Sequence, residues 1–498
     1  MTQSPLPPFP ARSYDFVEYG RARNWIGGAA VDGPESLPIL NPRHGREMGS
    51  VVMSGAAAVD AAVDAAEKAW ASWRTLPLRE RAEIFYTLKH IMKRDLEELA
   101  WLVSHENGKT YAESVGSVLK GIECVEFGCS LGNWGAGQQV DVSRGVNCRE
   151  DHEPYGVVAG ITPFNFPVMV PLWMMPQAIV GGNAFILKPS EQVPYGSLKL
   201  ATLLREAGLP DGVFNVVHGG ADAVNALCDH PRIKAVAFVG STKVARHVYA
   251  RSAASGKVVL ALGGAKNHLI VVPDADVALT APNVVASFTG CAGQRCMAAS
   301  VMLAVGDAQP VIDAIVAETR KVVLGRDMGA IITAGALERI TRYIDDAEKR
   351  GATVLVDGRN PQPVTEGGYW MGPTILDHVT PDMPAGCEEI FGPVIAIIRV
   401  PTVDRAIQIE NASPYGNAAC VYTTSGAVAR YVVERVDAGM VGVNVGVPVP
   451  REPFGFGGWN DSRFGVGNIT GMDGYRFWTR PRKVTTKWSV QADWTWMS

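Results

Sequence analysis

Two cysteines five residues apart are the residues of this chain whose types and spacing first suggest chemistry. They are Cys291 and Cys296, in the stretch FTGCAGQRCMAAS, and Arg295 directly precedes the second. A cysteine attacks carbonyl carbon as its thiolate, which nearby cations and backbone amides favour, and glycines let the backbone approach a substrate closely. An isolated cysteine is more often a small buried hydrophobic residue, and no histidine or carboxylate lies nearby at metal-ligand spacing. The stretch is thus a candidate nucleophile loop, and a metal site is not indicated.

Alternating strand and helix patterns predict the scaffold that would hold this loop. Residues 156–187 contain no charged side chain, but prolines at 163, 167, 171 and 176 argue against a membrane-spanning helix of that length. The run instead predicts a buried strand, a tight turn, a buried helix and a second buried strand. The alternation continues to about residue 262, which predicts a parallel sheet with its ligand at the carboxyl ends of the strands. No GxGxxG fingerprint follows any of these strands, so a standard Rossmann phosphate loop is not supported.

A second alternating stretch runs from about residue 264 to 450 and predicts a second α/β domain. The tail, residues 484–498, alternates polar and apolar residues and carries three tryptophans. It predicts an edge strand, and exposed aromatic strand ends also suit subunit pairing. The proline-rich start, MTQSPLPPFPARS, lacks a basic region followed by an apolar run, and predicts an extended or poorly ordered arm.

The composition limits the classes of protein to consider. The 498 residues are 47% hydrophobic and 19% charged, which suits two or three globular lobes with large cores. A net charge of −4, from 46 basic and 50 acidic residues, gives no reason to expect a nucleic-acid or membrane partner. The eight cysteines include no CxxC pair, so neither a disulfide scaffold nor a zinc ribbon is indicated. The expected compartment is a reducing cytoplasm.

Six motifs follow one another in an order that resembles the aldehyde dehydrogenase superfamily. They are TPFNFP, KPSE, GST, ALGGAKNH, GQRC and EEIFGPV. Longer matches at 161–191, 263–276, 293–298 and 456–465 are similar to its methylmalonate-semialdehyde dehydrogenase branch, which transfers the acyl group to coenzyme A. The resemblance covers essentially the whole chain. It implies an aldehyde dehydrogenase-like α/β fold with two parallel α/β domains and a small β arm.

The resemblance also implies a role for each matching residue. Cys296 would attack the aldehyde, and Asn165 together with the N–H of Cys296 would stabilise the resulting oxyanion. Arg295 and Lys120 would bind the substrate, and no metal is implied. Glu191 would accept hydrogen bonds from a ribose and repel a 2′-phosphate, which favours NAD over NADP. The residues implied in NAD binding are Thr162, Phe164, Lys188, Ser190, Glu191, Gly240, Ser241, Glu389 and Phe391.

Three positions depart from the family pattern. Ala261 stands where hydrolytic relatives carry the glutamate that activates water, and a methyl group cannot replace that base. The acylating branch shares this absence, so coenzyme A is the expected acyl acceptor. Lys120 stands where the methylmalonate-semialdehyde branch has an arginine, and lysine lacks the bidentate fork. Ala245 replaces the second glycine of the pyrophosphate turn.

The sequence therefore predicts an NAD-dependent, coenzyme A-acylating semialdehyde dehydrogenase that forms a homo-oligomer, either dimer or tetramer. The NAD-binding domain is expected over residues 1–130 and 156–262, the catalytic domain over 263–450, and the oligomerisation arm over 131–155 and 475–498. Two alternatives stay open at this point: a hydrolytic aldehyde dehydrogenase that uses another base, and a non-catalytic structural relative of the fold.

Overall fold

The structure is a computed structural model that describes residues 12–135 and 137–488. Most of the proline-rich start and the tail beyond Trp488, with two of its three tryptophans, lie outside the described residues. The strands are β1 Arg21–Ala22, β2 Asn24–Ile26, β3 Ala29–Val31, β4 Glu35–Asn41, β5 Arg46–Met53, β6 Gln138–Ser143, β7 Val146–Pro154, β8 Val157–Ile161, β9 Ala184–Lys188, β10 Phe214–Val216, β11 Ile233–Val239, β12 Val258–Leu262, β13 Asn267–Val271, β14 Ala299–Val305, β15 Thr353–Val356, β16 Thr374–Asp377, β17 Val394–Val400, β18 Tyr415–Gly416, β19 Ala418–Tyr422, β20 Met440–Val443, β21 Trp459–Asn460, β22 Arg463–Gly465 and β23 Thr479–Lys487.

Helices alternate with these strands through most of the chain. They are α1 Ala56–Trp73, α2 Leu78–Arg94, α3 Leu96–Asn107, α4 Tyr111–Trp134, α5 Met169–Val180, α6 Pro194–Glu206, α7 Ala221–Asp229, α8 Thr242–Ala254, α9 Val277–Thr289, α10 Gln309–Thr319, α11 Ala334–Lys349, α12 Pro384–Cys387, α13 Val403–Asn411, α14 Gly426–Val433 and α15 Gly471–Phe477. Among the described residues, none of these helices is both long and apolar enough to cross a membrane.

The first large sheet has eight strands in the order β22-β12-β11-β8-β9-β10-β2-β3. Strands β12, β11, β8, β9 and β10 run parallel, so their carboxyl ends lie along one edge. Residues 156–187 contain β8, the fully buried helix α5 and all of β9 except its last residue, Lys188. This confirms the predicted strand, turn, helix and strand. The edge strand β22 comes from far downstream and was not among the strands predicted for this sheet.

The second large sheet has seven strands in the order β15-β16-β17-β14-β13-β19-β20, of which only β15 runs antiparallel to its neighbour. All of its strands lie between residues 267 and 443, within the stretch predicted to form a second α/β domain. Parallel strands separated by helices in both large sheets confirm the predicted α/β fold class. The domain boundaries themselves stay a prediction.

The predicted arm segments meet in a third sheet, with the antiparallel order β23-β7-β6. Every residue of β6 is exposed, and Val140 and Val142 are 58% and 57% exposed. The tail strand β23 pairs along its whole length with β7 and is one edge of this sheet, as predicted for the tail, while β6 is the other edge. The arm therefore presents apolar side chains on the edge strand β6.

Candidate active site

The nucleophile candidate follows a tight left-handed turn. Helix α9 ends at Thr289, a 3₁₀ turn covers 290–293, and Cys291, Ala292 and Gly293 have φ values of +56°, +52° and +66°. A Cβ atom on Gly293 would lie 2.0 Å from the carbonyl oxygen of Gly392, so only glycine fits there. The turn places Cys296 three residues before the start of β14, with its side chain partly buried.

Two asparagine amides hold the backbone at Cys296. The Nδ2 atoms of Asn267 and Asn417 donate to the carbonyl oxygen of Cys296 at 2.7 and 2.9 Å, and Asn267 also donates to the carbonyl of Ala298. Asn267 belongs to the AKNH motif and Asn417 precedes β19, so two strands of the second sheet fix one loop. Buried side-chain hydrogen bonds of this kind reduce the freedom of the loop and thus orient the thiol.

Cys296 lines two cavities of similar size. One, about 450 Å³, also contacts Gly240, Ser241 and Glu389, and the other, about 480 Å³, also contacts Lys120 and Arg295. Five of the predicted cofactor residues line the first cavity and both predicted substrate residues line the second, with Cys296 shared by the two. A reacting group could therefore reach Cys296 from either cavity.

The first cavity, here called the cofactor cavity, opens at the carboxyl ends of the parallel strands. Gly240 and Ser241 follow β11, and Ser241 caps helix α8 without a side-chain capping bond, so the first N–H groups of α8 are available to an anion. Phe164 and Phe391 meet edge to face at the cavity wall, with ring centroids 5.9 Å apart. The arrangement combines an anion site at a helix N-terminus with a flat apolar surface.

Glu389 is the carboxylate of this cavity. Its Oε1 accepts from the backbone N–H of Ala265 at 3.0 Å, and burial raises the pKa of Glu389 to about 7, while that bond opposes the rise. Near neutral pH the side chain can therefore be either ionised or protonated. Glu389 and Cys296 line the same cavity, so a change in the charge of Glu389 occurs close to the thiol.

The predicted ribose pair lies at the same sheet edge but outside the cofactor cavity. Lys188 ends β9, and its Nζ lies 3.2 Å from Oε2 of Glu191, while Ser190 accepts a bond from Gln192. Thr162 follows β8, between β11 and β9, and its buried Oγ1 has no hydrogen-bond partner among the described residues. A ligand that runs along the edge from the helix α8 terminus would meet these groups in turn.

These residues fit NAD by their chemistry. Helix N–H groups suit a pyrophosphate, Glu191 offers acceptors to ribose hydroxyls, and the unpartnered Thr162 hydroxyl is a polar atom that a bound ligand could satisfy. The aromatic wall beside Cys296 suits a planar ring.

Asn165 lies in the wall of the cofactor cavity, as predicted for an oxyanion donor. Its Nδ2 donates to the carbonyl of Gln294 at 3.0 Å, and its backbone carbonyl accepts from the buried Lys109 ammonium. An amide nitrogen carries two hydrogens, so one N–H of Asn165 remains to be used. The side chain is thus held against the nucleophile loop with one donor free.

The second cavity, here called the substrate cavity, is mostly apolar. Helix α4 contributes Glu113, Gly116, Ser117 and Lys120, whose spacing of three, one and three residues places them on one helix face. Trp173 reaches both cavities and packs on Phe456, with ring centroids 4.5 Å apart. A short aliphatic aldehyde would therefore meet apolar walls on its way to the thiol.

The two predicted substrate cations have different surroundings. Arg295 donates from Nη2 to the carbonyls of Ala286 and Ser287 at the end of α9, and forms no ion pair among the described residues. Lys120 forms ion pairs with both Glu452 and Glu123. Arg295 is consequently an uncompensated positive charge at the cavity wall, whereas Lys120 is already paired.

Cys291 belongs to the substrate cavity but is placed differently from Cys296. Its side chain is buried, its N–H donates to Oε1 of Glu113, and its thiol lies beside the Lys109 ammonium. Glu113 also accepts from the N–H and hydroxyl of Thr110, which completes the cap of α4. Cys291 therefore joins the loop to α4.

The thiol of Cys296 is held in its neutral form in this structure. Burial raises the pKa of Cys296 to about 12, and the nearby Glu389 carboxylate adds to the rise, while backbone amides and Arg295 oppose it. Arg295 lowers the pKa of Cys296, as a nearby cation should, but desolvation of the thiolate raises this pKa by more. The proton must therefore leave as the substrate binds or reacts.

Ala261 does not reach either cavity. It lies fully buried in β12, with Phe464 of β22 as its cross-strand neighbour. Within the described part of the chain, the carboxylates that line the cavities around Cys296 are Glu389 and Glu113. Glu113 is fully engaged, so the site lacks the dedicated base that a glutamate at 261 would supply.

Several site residues escaped the sequence reasoning. Arg339 and Tyr343 reach the cofactor cavity from α11, at the i and i+4 positions of one helix face. Asn417 and Glu452 come from loops with no recognisable motif. The i,i+4 spacing is common on any helix, so it carries no signal for a site until the tertiary structure is known. No group of three or more potential metal-ligating side chains occurs in the described part of the chain.

Comparison with known proteins identifies what the chain is similar to. Residues 29–484 match the model of the aldehyde dehydrogenase family. Malonate-semialdehyde dehydrogenase 2 of Geobacillus kaustophilus strain HTA426 is 45% identical over 478 residues, which is 94% of this chain and 98% of the relative. A malonate-semialdehyde dehydrogenase of Halalkalibacterium halodurans is 43% identical with the same coverage.

Solved structures agree with this similarity. Methylmalonate-semialdehyde dehydrogenase from Oceanimonas doudoroffii superposes with a TM-score of 0.93 at 42% identity, covering 94% of this chain and 98% of its own. A protein from Sinorhizobium meliloti 1021 that carries the same enzyme name, solved in complex with NAD, has a TM-score of 0.93 at 39% identity, with 96% and 100% coverage.

Proposed function

The chain belongs to the aldehyde dehydrogenase family, and we propose that it oxidises a short carboxylate-bearing semialdehyde, such as malonate or methylmalonate semialdehyde, with NAD and transfers the acyl group to coenzyme A. The observation that carries the proposal is that two cavities meet at Cys296. One combines an anion site with an aromatic wall. The other is mostly apolar and contains Arg295, which forms no ion pair among the described residues. The names of the similar proteins support this substrate class.

Substrate binding uses the substrate cavity. The apolar walls exclude water, and Arg295 offers donors to the substrate carboxylate, a charge-assisted contact worth about 1.5–3 kcal/mol. The carbonyl carbon then lies near the thiol. Because Arg295 directly precedes Cys296, the anchor and the nucleophile are fixed by the same loop.

Once its proton has passed to solvent in the cavity, Cys296 attacks the carbonyl as its thiolate and forms a tetrahedral thiohemiacetal. The free N–H of Asn165 and the backbone N–H of Cys296 donate to the oxyanion, and both are fixed before the reaction. NAD, when bound, supplies the hydride acceptor that leaves a thioester on Cys296. Gly240, Ser241, Lys188 and Glu191 would hold its diphosphate and adenosine ribose, and Glu389 would accept a hydrogen bond from its nicotinamide ribose.

Discharge of the thioester decides between the two enzyme classes. Water has a high pKa and needs a base, and the methyl group of Ala261 lies buried away from both cavities. A thiol has a pKa near 8.5, so an appreciable fraction of coenzyme A is already thiolate at mildly alkaline pH. Coenzyme A therefore needs less help from the protein than water does.

An aldehyde panel with NAD, with and without coenzyme A, tests the proposal. Without coenzyme A we expect one burst of NADH per site and then a slow rate, and with it a faster steady rate and accumulation of an acyl-coenzyme A. NAD should have the higher kcat/KM over NADP because of Glu191. Fast multiple turnover to free acid that coenzyme A does not change would contradict the acylating assignment.

Hydrolysis to the free acid is the second candidate function, and one observation favours it. Glu389 lines the cavities beside Cys296 and has a pKa of about 7, which suits a base for water near neutral pH. The same panel separates the two candidates, since hydrolysis gives steady turnover without coenzyme A. A non-catalytic protein would instead lack a Cys296 thiol that an aldehyde protects from alkylation.

The assembly and the compartment are further parts of the proposal. The unpaired edge strand β6, with exposed Val140 and Val142, supports subunit pairing into a dimer or tetramer through the arm sheet. All eight cysteines are free thiols, which supports a reducing, cytoplasmic environment. Light scattering of the purified protein would give the oligomeric state.

A further inference from the structure

Lys120, in the wall of the substrate cavity, is held by two of the protein's own carboxylates. The Nζ atom lies 2.9 Å from Oε2 of Glu452 and 3.1 Å from Oε2 of Glu123. The side chains of Lys120 and Glu452 are only 19% and 8% exposed. Although burial opposes the charged form, the contact with Glu452 raises the pKa of Lys120, so the lysine is a cation held in an ion pair.

Glu452 is itself fixed on both oxygen atoms. Its Oε1 accepts from the thiol of Cys124 at 3.3 Å, while Oε2 accepts from Lys120. Lys120, Glu123 and Cys124 all lie on α4, so Glu452 joins the loop between β20 and β21 to one face of that helix. Solvent screens a nearly buried pair of this kind less than a surface pair, and its members stay together more of the time.

The charges around Lys120 balance one another within the protein. Lys120 faces two carboxylates, and Arg451, which also lines the substrate cavity, offsets the second of them through its Nη1, 3.7 Å from Oε1 of Glu123. A substrate carboxylate at Lys120 would approach Glu452 and Glu123 as well. Like charges at such distances disfavour binding.

Arg295 has the opposite environment. Its guanidinium contacts backbone carbonyls, and it forms no ion pair with any carboxylate in the described part of the chain. It packs directly over Gly290, where an added Cβ would lie 2.8 Å from the guanidinium carbon. The charge of Arg295 is therefore available to an anion in the cavity.

This inference rests on the proposed function and deepens it. We propose that Glu452 is a specificity-determining residue, which holds Lys120 away from the substrate and leaves Arg295 as the anchor for the substrate carboxylate. The Lys120 end of the cavity then behaves as a neutral wall. The enzyme accordingly binds the carboxylate of a short semialdehyde through Arg295. It discriminates less against uncharged aldehydes than it would if Lys120 were also free to bind the substrate.

The probe for a test on the full-length enzyme is malonate, a stable dicarboxylate that has no aldehyde group to be oxidised. Calorimetry should show malonate binding about tenfold more tightly to Glu452→Gln than to the wild type, because Lys120 is released. Adding Lys120→Met to Glu452→Gln should abolish this gain. Glu123→Gln is the matched control, and its gain should be smaller because Glu452 still holds the lysine.

The kinetic counterpart is the ratio of kcat/KM for malonate semialdehyde to that for propanal. This ratio should rise about tenfold in Glu452→Gln through a lower KM for malonate semialdehyde.

Unchanged or weaker malonate binding in Glu452→Gln, in a variant with wild-type melting temperature, overturns the proposal, since Glu452 would then position Lys120 as an anchor. If Glu452→Gln does not fold, Lys120→Met decides: malonate affinity within twofold of wild type supports the proposal, and a tenfold loss overturns it. Calorimetry needs no turnover, so it stays informative even if the enzyme oxidises a different aldehyde.

Discussion

Cys296 and Cys291 lie in one loop but have different tasks at the scale of single residues. Cys296 is partly exposed at the meeting point of the two cavities, whereas Cys291 is buried between Glu113 and Lys109. Cys296→Ala should abolish NADH formation, and Cys291→Ala should retain about a third or more of it, because the loop keeps its anchors at Asn267 and Asn417. Initial rates of NADH formation would check both variants. A dead Cys291→Ala with an active Cys296→Ala would mean that the nucleophile is the other cysteine.

Glu389 gives the site a pH dependence at the residue scale. Burial raises the pKa of Glu389 to about 7, so its carboxylate becomes protonated as pH falls through 7 and loses its strength as an acceptor for a ribose hydroxyl. The dissociation constant for NAD should rise roughly tenfold from pH 8 to pH 6, because only about a tenth of the sites remain ionised. Calorimetry at both pH values measures this. Glu389→Gln should bind NAD equally at both, and a wild type without pH dependence would argue against the assignment.

At the scale of elements, the left-handed turn after α9 carries the nucleophile. Gly293→Ala would place a Cβ atom 2.0 Å from the carbonyl oxygen of Gly392 and would displace the loop. We expect kcat to fall about 100-fold, since small misplacement of a reacting group costs that much. The matched control is Gly208→Ala after α6, which has φ +93° but no atom within 4 Å of the added Cβ. It shares the backbone strain without the collision, so it should lose stability but keep kcat.

The two variants together separate strain from displacement. Melting temperatures should fall in both, because alanine is disfavoured at positive φ. Equal losses of kcat in the two would mean that global destabilisation, rather than the position of Cys296, explains the effect.

At the scale of the whole molecule, each large sheet contains a buried histidine that limits stability in acid. His218 follows β10 in the first sheet and His268 lies in β13 of the second, and burial lowers the pKa of each to about 3. In the unfolded chain a histidine has a pKa near 6.5, so the unfolded state binds more protons below that pH. The contribution of each histidine to stability is therefore full above pH 6.5 and is lost as pH falls, by roughly 2 kcal/mol for each histidine at pH 5. Buried carboxyl groups with raised pKa values, such as Glu389, act in the opposite direction, so the histidine contribution is read from variants.

Urea denaturation at pH 7.5, 6.0 and 5.0 checks this expectation. The difference in free energy of unfolding between the wild type and His218→Asn, or between the wild type and His268→Asn, should fall by about 2 kcal/mol from pH 7.5 to pH 5.0. A difference that does not change with pH would show that the buried histidines do not contribute to acid sensitivity.

The sequence by itself determined the fold class and predicted the central site residues. Continuous apolar runs such as 157–161 and 184–187 predicted buried parallel strands, because a strand covered on both faces has no polar side. The ordered motifs located Cys296, Asn165 and Glu389, and these three do line one cavity. Local patterns and motifs are readable along the chain, so these features needed no tertiary information.

Only the tertiary structure decided what surrounds those residues. The sequence treated Lys120 and Arg295 as a pair of cations, yet the fold brings Glu452, 332 residues away, onto Lys120, while Arg295 meets no carboxylate within residues 12–135 and 137–488. It also brings Phe464 of β22 onto Ala261, and desolvates Cys296 so that its pKa rises to about 12. Ion pairs, burial and dielectric environment depend on distances across the folded chain, and no local pattern of residues records those distances.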